Sequence, residues 1–383
     1  MTTASVLLTV TTTWNLNSEK IEKGKVGRSI QSIAAETAKE LRETPATREQ
    51  ALRIMRDWIQ QNGDIKNVRQ DESFLLRFLR HKKYSIPMAQ QTLLKYLNLR
   101  KYYPEIFMNL DCEDSKLQDI INNGYVVVSP VRDSKGRRVI VYNMSRFNAA
   151  KLTCWDMCRV HTMIYESLLE DPLDQICGFT HVGDGSGVTG AHITSWNPSD
   201  FGRLMKWGEV SRRYCLQPSL LEDPLDQICG FTHVGDGSGV TGAHITSWNP
   251  SDFGRLMKWG EQSLPMRHKE FHLINIPSAI KYIIDFAKSK VSPKMVDRLY
   301  IHSTLKQLHK NIDVACLPTV YGGKIPLQDM ISFTKQLLSD QRKKVCHLNE
   351  MEILNTRGIN SSKSKNNSDT LSVEGSFRKL EID

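Results

Sequence analysis

Forty-three consecutive residues occur twice, without a single change, in this chain of 383 residues. Residues 167–209 recur as 219–261, and the segment VSRRYCLQP joins the two copies. Solenoid repeats diverge in sequence and number three or more, so this duplication does not indicate a repeat architecture. One strand-turn-helix unit has been copied. A sheet that needs this strand once must add a strand for the second copy, hold it as an insertion, or leave it poorly packed.

Both copies present the same hydrophobic pattern, so the sequence supplies no energetic preference for either copy in the sheet. A duplicated exon or a faulty gene model would produce an unchanged copy of this kind. We predict that the full chain melts at a lower temperature than a version that lacks residues 167–218.

Extended and helical segments alternate from residue 124 onward. A predicted β-hairpin around the glycine turn DSKG is followed by a helix at about 153–169, and a last helix is predicted at about 327–343. Strands separated by helices indicate an α/β fold, with a mixed, largely parallel sheet covered by helices. The predicted strands are 125–131, 137–143, 175–184, 270–276 and 296–302.

A small all-α domain is predicted to precede this sheet, at residues 45–112. Thr47 and Gln50 form a capping box for a first helix, Asp71 begins a second, and Ser85 begins a third. Three short amphipathic helices bury little surface by themselves, so we expect them to dock on the larger domain.

The remaining boundaries follow from local composition. The larger domain is predicted at 113–343, after a loosely ordered leader at 1–44. The polar segment at 344–383 has low complexity and is predicted to be a disordered tail. A tail of this kind also suits a regulatory adaptor that binds a partner protein, which is one hypothesis for function.

Lysine and arginine outnumber aspartate and glutamate by 51 to 42, a net charge of +9. This excess favours a negatively charged partner, either nucleic acid or an anionic membrane. No nucleic-acid-binding signature occurs, so we expect a membrane and no nucleic acid. No apolar run approaches the roughly 18 residues of a spanning helix, and MTTASVLLTV lacks the basic start of a signal peptide. The eight cysteines lack paired spacing, which favours a reduced, cytoplasmic compartment.

A glycine-rich turn raises the possibility of a nucleotide-dependent oxidoreductase. Gly185, Gly187 and Gly190 satisfy G-x-G-x-x-G after a predicted strand, and the second copy repeats the pattern at 237–242. A dinucleotide site needs a helix that opens directly from this turn, whereas AHITSWNP follows here. The alternative interpretation is a turn that contains glycine for backbone reasons alone.

No catalytic constellation can be read from the sequence, which favours a binding protein over an enzyme. Cys154, Cys158 and His161 share one helical face and could hold a metal, but no fourth ligand is evident. A buried stripe of small residues is the alternative, and we expect no metal or cofactor.

A helix predicted at 279–288 offers apolar residues on two sides. Ile280, Ile283, Ile284 and Ala287 follow the spacing of an inward face, while aromatic rings lie on a second face. Basic residues surround it. The helix is either a lipid-facing lid beside a phosphate-binding rim or a core helix with solvated lysines.

Five segments, in order along the chain, resemble the CRAL-TRIO lipid-binding family, in its tocopherol-transfer, retinaldehyde-binding and clavesin-like branch. They are FLLRFLRHKKY (74–84), the hairpin that precedes ICGFTHVGD (125–143), SLPMRHKEFHLINIP (263–277), KMVDRLYIH (294–302) and LPTVYGG (317–323). The resemblance implies a helical domain packed on an α/β domain that encloses one hydrophobic ligand behind a mobile helix. The cargo would be tocopherol-like, retinoid-like or phospholipid-like.

The resemblance also implies a basic cleft for a phosphatidylinositol bisphosphate headgroup. Matched position by position, the cleft comprises Lys82, Arg267, Lys269, Lys294 and Arg298. The mobile helix and pocket map to Ile280, Ile283, Ile284, Phe286, Ala287 and Val291. The implied protein is a monomeric cytoplasmic carrier that associates peripherally with phosphoinositide membranes.

Overall fold

The computed structural model describes residues 39, 41–184, 230–238, 268–276, 285, 288–289, 293–310, 312–356 and 359. Side chains are not described at 230–233, 268–269 and 294–295. The glycine-rich turn at 185–190 lies outside the described residues. So do the six residues predicted for the mobile helix, Ile280, Ile283, Ile284, Phe286, Ala287 and Val291.

The chain begins with short helices, as predicted, but the first helix starts earlier than its predicted cap. Thr44 is the N-cap, its hydroxyl accepts from the N–H of Thr47 at 3.1 Å, and Pro45 occupies the first turn. Proline is favoured there because it needs no amide partner, so the Thr47 capping box is wrong. The elements are α1 (Pro45–Gln61), β1 (Ile65–Lys66), α2 (Glu72–His81), α3 (Ile86–Tyr102), α4 (Pro104–Phe107) and α5 (Ser115–Asn122).

The next segment contains the predicted hairpin, a helix and a strand. The strand predicted at 175–184 starts late, because Asp171 caps a helical turn by accepting from the N–H of Leu173. Gly178, with φ +74°, ends that turn. The elements are β2 (Val126–Val128), β3 (Arg138–Asn143), α6 (Cys154–Leu168), α7 (Pro172–Cys177) and β4 (Gly178–Asp184).

The carboxyl-terminal part differs from prediction at two boundaries. A helical turn replaces the start of the strand predicted at 296–302. The predicted tail at 344–383 begins too early, because the last helix continues to His347 and a further strand follows. The elements are β5 (Gly230–Asp236), β6 (His268–Ile274), α8 (Pro293–Val296), β7 (Leu299–His302), α9 (Leu305–Leu308), α10 (Leu327–His347) and β8 (Glu352–Ile353).

Six strands form one sheet in the order β2-β3-β4-β5-β6-β7, antiparallel only between β2 and β3. The mixed, largely parallel sheet is therefore confirmed. The duplicated unit adds a strand, since β4 and β5 are the two copies. They pair in register, each residue beside its own counterpart, from Gly178 beside Gly230 to Asp184 beside Asp236. Both β3 and β6 therefore meet the same strand sequence.

The two faces of the sheet have separate cores. The face that carries Ile140 and Phe179, called face A, packs against Val160, Met163 and Ile164 of α6. The opposite face, face B, packs against α9 and the start of α10. Strand alternation assigns every other residue to each face, so the register places residues of all six strands.

Buried ion pairs fasten the amino-terminal helices to α6. Arg69 lies 2.8 Å from Glu170, and Arg77 contacts both Glu166 at 2.6 Å and Glu170 at 2.8 Å. The side chains of Arg69 and Glu170 are each only 2% exposed. Removing one partner of such a network strands a buried charge. The predicted docking of the helical segment on the larger domain is thus confirmed.

Candidate functional site

One row of residues crosses face A from β3 to β7. The register places Tyr142 beside Gly183, Gly183 beside Gly235, Gly235 beside Leu273, and Leu273 beside Ile301. We call these five residues the face-A row. With strands about 4.8 Å apart, the row spans roughly 19 Å.

The middle of the row is low because its two glycines have no side chains that rise above the sheet. A Cβ atom on Gly183 would clash with the phenol of Tyr142, and one on Gly235 would lie 3.1 Å from the Cδ2 atom of Leu273. The flanking side chains therefore lie flat against the sheet where the glycines stand. Because β5 is a second copy of β4, the duplication gives the row two adjacent glycines instead of one.

The β3 end of the row is polar. The rings of Tyr142 and His161 meet edge to face, with centroids 5.9 Å apart. On its other side, His161 places Nε2 3.0 Å from the hydroxyl of Tyr125. Burial lowers the pKa of His161 to about 4, so its imidazole is neutral at physiological pH.

The stripe on α6 that suggested a metal is explained by its surroundings. Cys154 is buried, and desolvation raises the pKa of Cys158 to about 12, which keeps it a thiol. One turn beyond His161, the hydroxyl of Tyr165 lies 2.8 Å from Nε2 of His181. Among the described residues, no three His, Cys, Asp or Glu side chains are placed to hold a metal together.

The β7 end of the row is apolar and partly open. Phe271, Leu273 and Leu299 on face A are half-buried, and Ile301 keeps 43% of its surface exposed. Exposed aliphatic side chains in a contiguous patch mark a binding surface more often than isolated ones do. Among the described residues, no helix is long and apolar enough to span a bilayer.

Two of the predicted basic residues lie near the amino ends of β6 and β7. Lys269 is the second residue of β6, and the carbonyl of Arg298, which directly precedes β7, accepts from the N–H of Phe271 at 2.8 Å. Lys294 belongs to α8, which leads into β7. Lys82 is the C-cap of α2 and is only 9% exposed, while Arg267 lies outside the described residues. The side chains of Lys269 and Lys294 are not described, so the cleft stays a prediction.

Face B is closed beneath α9 and the turn at 317–323. A cavity of about 20 Å³ remains there, enough for one water molecule and far too small for a lipid. At its edge, Tyr321 donates to Asp184 at 2.5 Å and Asn143 donates to the same carboxylate at 2.8 Å. Desolvation and the neighbouring Asp184 raise the pKa of Tyr321.

Sequence reasoning missed the face-A row. Its members come from five strands, and only the register shows that they are neighbours. A signal was present in two places, because the glycine inside HVGD interrupts a run of β-forming residues in each copy. His161 was noted only as a possible metal ligand, because its partner Tyr125 comes from a different element.

Comparison with known proteins identifies two family profiles along the chain. The CRAL/TRIO domain profile matches residues 122–221 and again 209–323, so each match holds one copy of the duplicated unit. A Pinta-like UBA domain profile matches residues 44–117, the region of the amino-terminal helices.

Curated relatives match most of the chain. Clavesin-1 of Xenopus laevis is 26% identical over 324 residues, which cover 84% of this chain and 78% of the relative. Alpha-tocopherol transfer protein-like of Mus musculus is 24% identical and covers 83% of this chain and 77% of the relative. The crystal structure of Sfh5 is 11% identical, with a TM-score of 0.35, over 78% of this chain and 98% of that one.

Proposed function

This chain belongs to the CRAL/TRIO domain family, and from that premise we propose that it carries one hydrophobic molecule against face A and exchanges it at anionic membranes. The observation that carries the proposal is the face-A row, with its low middle and its open apolar end. The proposed protein is a carrier and not an enzyme, and it needs no cofactor besides its cargo. The name of the tocopherol transfer protein-like relative is consistent with this role.

The topology supports a cover over the same face. The chain passes from β3 through α6 to β4 on face A, and β6 and β7 follow one another in the same direction across the sheet. Crossovers between parallel strands are right-handed almost without exception. We propose that the connection from β6 to β7, whose predicted mobile helix lies outside the described residues, crosses in the same right-handed sense and supplies this cover.

The energetics require release at a membrane. Burying a chain of about 15 carbons is worth on the order of 12 kcal/mol at about 0.8 kcal/mol per CH₂ group, so escape into water is slow. At a bilayer the cargo leaves into hydrocarbon, and a lid with a second apolar side finds lipid. Opening of the lid is then favoured only at a membrane, where the hydrocarbon accepts the cargo.

The basic residues supply the docking in this proposal. A cationic side chain near an anionic surface contributes about 1 kcal/mol, so five of them bind reversibly. The five proposed to contact a phosphoinositide headgroup are Lys82, Arg267, Lys269, Lys294 and Arg298. The carbonyl of Arg298 accepts from the N–H of Phe271, two residues after Lys269, and this backbone proximity supports grouping the two positions in one cleft.

Liposome flotation tests the docking. The double variant Arg267→Ala/Arg298→Ala should lose its preference for phosphatidylinositol bisphosphate vesicles while keeping its cargo. The matched control is Arg53→Ala/Lys335→Ala, which removes the same charge at exposed sites on α1 and α10 and should keep the preference. Unchanged flotation of the first variant would show that the cleft is assigned to the wrong residues.

A further inference from the structure

We infer that the carboxyl end of the sheet docks on anionic membranes through a second surface, formed by the exposed side of β7, α9 and the turn at 317–323. This inference rests on the proposed carrier function and adds a docking surface that is separate from the predicted basic cleft and from the predicted mobile helix. We call it the α9–turn surface, and its exposed members are Tyr300, Leu305, Lys306, Lys310, Val320 and Lys324.

Exposed apolar side chains concentrate in this part of the molecule. Among the described residues, seven large apolar side chains are exposed, and four of them lie between residues 300 and 320. Ile301 belongs to the face-A row, which leaves Tyr300, Leu305 and Val320 for the α9–turn surface, at 44%, 39% and 60% exposure. Single exposed apolar residues are normal, whereas several in one place mark an interaction surface.

Two contacts hold α9 and the turn together. Nε2 of His309, directly after α9, donates to the carbonyl of Tyr321 at 3.1 Å. Gly322, with φ +74°, packs so closely on His309 that a Cβ atom there would lie 2.9 Å from Cε1 of the imidazole. α9 itself packs on β6 and β7. The exposed side chains of both pieces are therefore displayed on one fixed scaffold.

Val320 points out from a turn whose other contacts are inward. Its neighbour Tyr321 donates to Asp184 at 2.5 Å, and Leu317 is only 1% exposed. A Cβ atom on Gly323 would run into the carbonyl of Leu317, so the turn closes only with glycine at that position. Because the turn is already fixed, burying Val320 in a bilayer costs little additional ordering.

The charges of the surface favour an anionic bilayer as its occupant. Lys306, Lys310 and Lys324 are exposed, and the only acidic residue between positions 300 and 324 is Asp313. Asp313 is half-buried, and its carboxylate accepts from the N–H of Ala315 at 3.0 Å. Lysines are attracted to anionic headgroups, while a tyrosine and short apolar side chains suit the boundary between headgroups and hydrocarbon. A bilayer satisfies these features without any matching of shape.

The surface lies at the end of the sheet where the chain leaves β6 toward the predicted mobile helix. Asn275 follows β6 and donates to Asp236 at 3.1 Å. Asp236 stands beside Asp184 in the sheet, and Asp184 is the residue that Tyr321 contacts. Docking through the α9–turn surface therefore brings this end of the sheet against lipid.

Cosedimentation of the full chain with vesicles tests the inference. The vesicles contain phosphatidylcholine and phosphatidylserine in about a two-to-one ratio, without phosphoinositide, and we expect the natural chain to bind them. Val320→Asp should weaken binding at least about tenfold, because a carboxylate resists burial. Lys306→Ala/Lys310→Ala should also weaken it about tenfold. Val320→Leu should tighten binding about twofold to fourfold through its added CH₂ group, a gain that a merely structural role does not predict.

Two control variants make the same changes elsewhere. Leu354→Asp places the same charge at a site that is 54% exposed, directly after β8. Arg53→Ala/Lys335→Ala removes two exposed cations from α1 and α10. Both controls should bind the vesicles as the natural chain does, and thermal melting by circular dichroism establishes that each variant is folded.

The outcomes separate this inference from the proposed function. Unchanged vesicle binding by Val320→Asp, or equal weakening by Leu354→Asp, would overturn the bilayer as the occupant of this surface. If the natural chain binds only vesicles that contain phosphatidylinositol bisphosphate, the α9–turn surface is overturned and the carrier with its basic cleft stands. If no vesicle of either composition is bound, exchange at membranes fails and this inference fails with it.

Discussion

The two copies of the duplicated strand have the same sequence but different surroundings. All seven residues of β4 are buried, and Asp184 is held by Tyr321 and Asn143. In β5 the corresponding Asp236 is half-buried and bonded instead by Asn275 at 3.1 Å. Because the sequences are identical, the neighbouring elements decide how deeply each strand is buried.

This difference extends to the halves of the sheet. The β2–β4 half lies under α6, and ion pairs tie α6 to the amino-terminal helices. In the other half, Tyr300 and Ile301 of β7 are 44% and 43% exposed. One half therefore holds the fold together, and the other leaves apolar surface for an occupant.

The largest expected effect is a loss of stability in the packed half of the sheet, β2–β4. Glu170→Ala removes the carboxylate shared by Arg69 and Arg77, which then keep only Asp71 and Glu166 as partners, and should lower the free energy of unfolding by about 3 kcal/mol. Urea denaturation measures the change. Glu113→Ala, at the exposed pair with Arg342, is the control and should stay within about 0.5 kcal/mol. A loss below about 1 kcal/mol for Glu170→Ala would show that this network does not hold the half together.

Acid should weaken the packed β2–β4 half through His161, which lies between Tyr125 and Tyr142. Its pKa is lowered from 6.5 to about 4, so between these values the unfolded chain binds a proton that the folded chain does not. The free energy of unfolding therefore carries no penalty from His161 above pH 6.5, and it falls as the pH drops toward about 4.

The expected loss is on the order of 2 kcal/mol, less than the full shift implies because the ring is only half-buried. His161→Gln should lack this loss, so its stability relative to the natural chain should improve as the pH falls. If the natural chain and His161→Gln lose stability equally as the pH falls, His161 is not the group responsible for the loss.

Deleting residues 167–218 tests whether the added strand is dispensable. Because the copies pair in register, Gly230–Asp236 can take the place of β4 beside β3 without any shift. We expect the shortened chain to fold and to melt a few degrees higher, since the entropic cost of closing one long connection is removed. Calorimetry measures both melting temperatures. A lower value for the shortened chain would show that the second copy stabilises the sheet, and an equal value would show that the second copy has no net cost.

The smallest expected effect on stability comes from the open half of the sheet, which contains β7. Ile301→Ser at the open end of the face-A row should cost less than about 1 kcal/mol, because the side chain is already half exposed. It should nevertheless weaken binding of parinaric acid, a fluorescent lipid probe whose binding is followed by energy transfer from tryptophan. Ile54→Ser on α1, a site 39% exposed, should have a similar effect on stability and none on binding. Equal binding by both variants would remove Ile301 from the site.

Local signals predicted the elements whose causes are local. The caps at Asp71 and Thr153 mark the starts of α2 and α6 as expected. The helical turn α7 was missed although Asp171 and Pro172 signal its start, because the apolar run after it reads as strand. Strand β8 could not be foreseen, since Ile353 pairs with Ile65 near the other end of the chain.

The site was less predictable for the same reason. The basic residues were located by resemblance alone, and their grouping into one cleft stays a prediction. The face-A row depends on register across five strands, which no local pattern specifies. Nor does the sequence determine that β5 stands beside β4, because an inserted or unpacked copy has the same hydrophobic pattern.

Mass spectrometry of lipid extracted from the purified full chain tests the central claim most directly. The account predicts about one hydrophobic molecule per chain, and its loss from Leu273→Asp, which places a charge at the apolar end of the face-A row while circular dichroism shows the fold retained. Lipid-free natural protein, or lipid held undiminished by Leu273→Asp, would contradict the claim that face A carries the cargo.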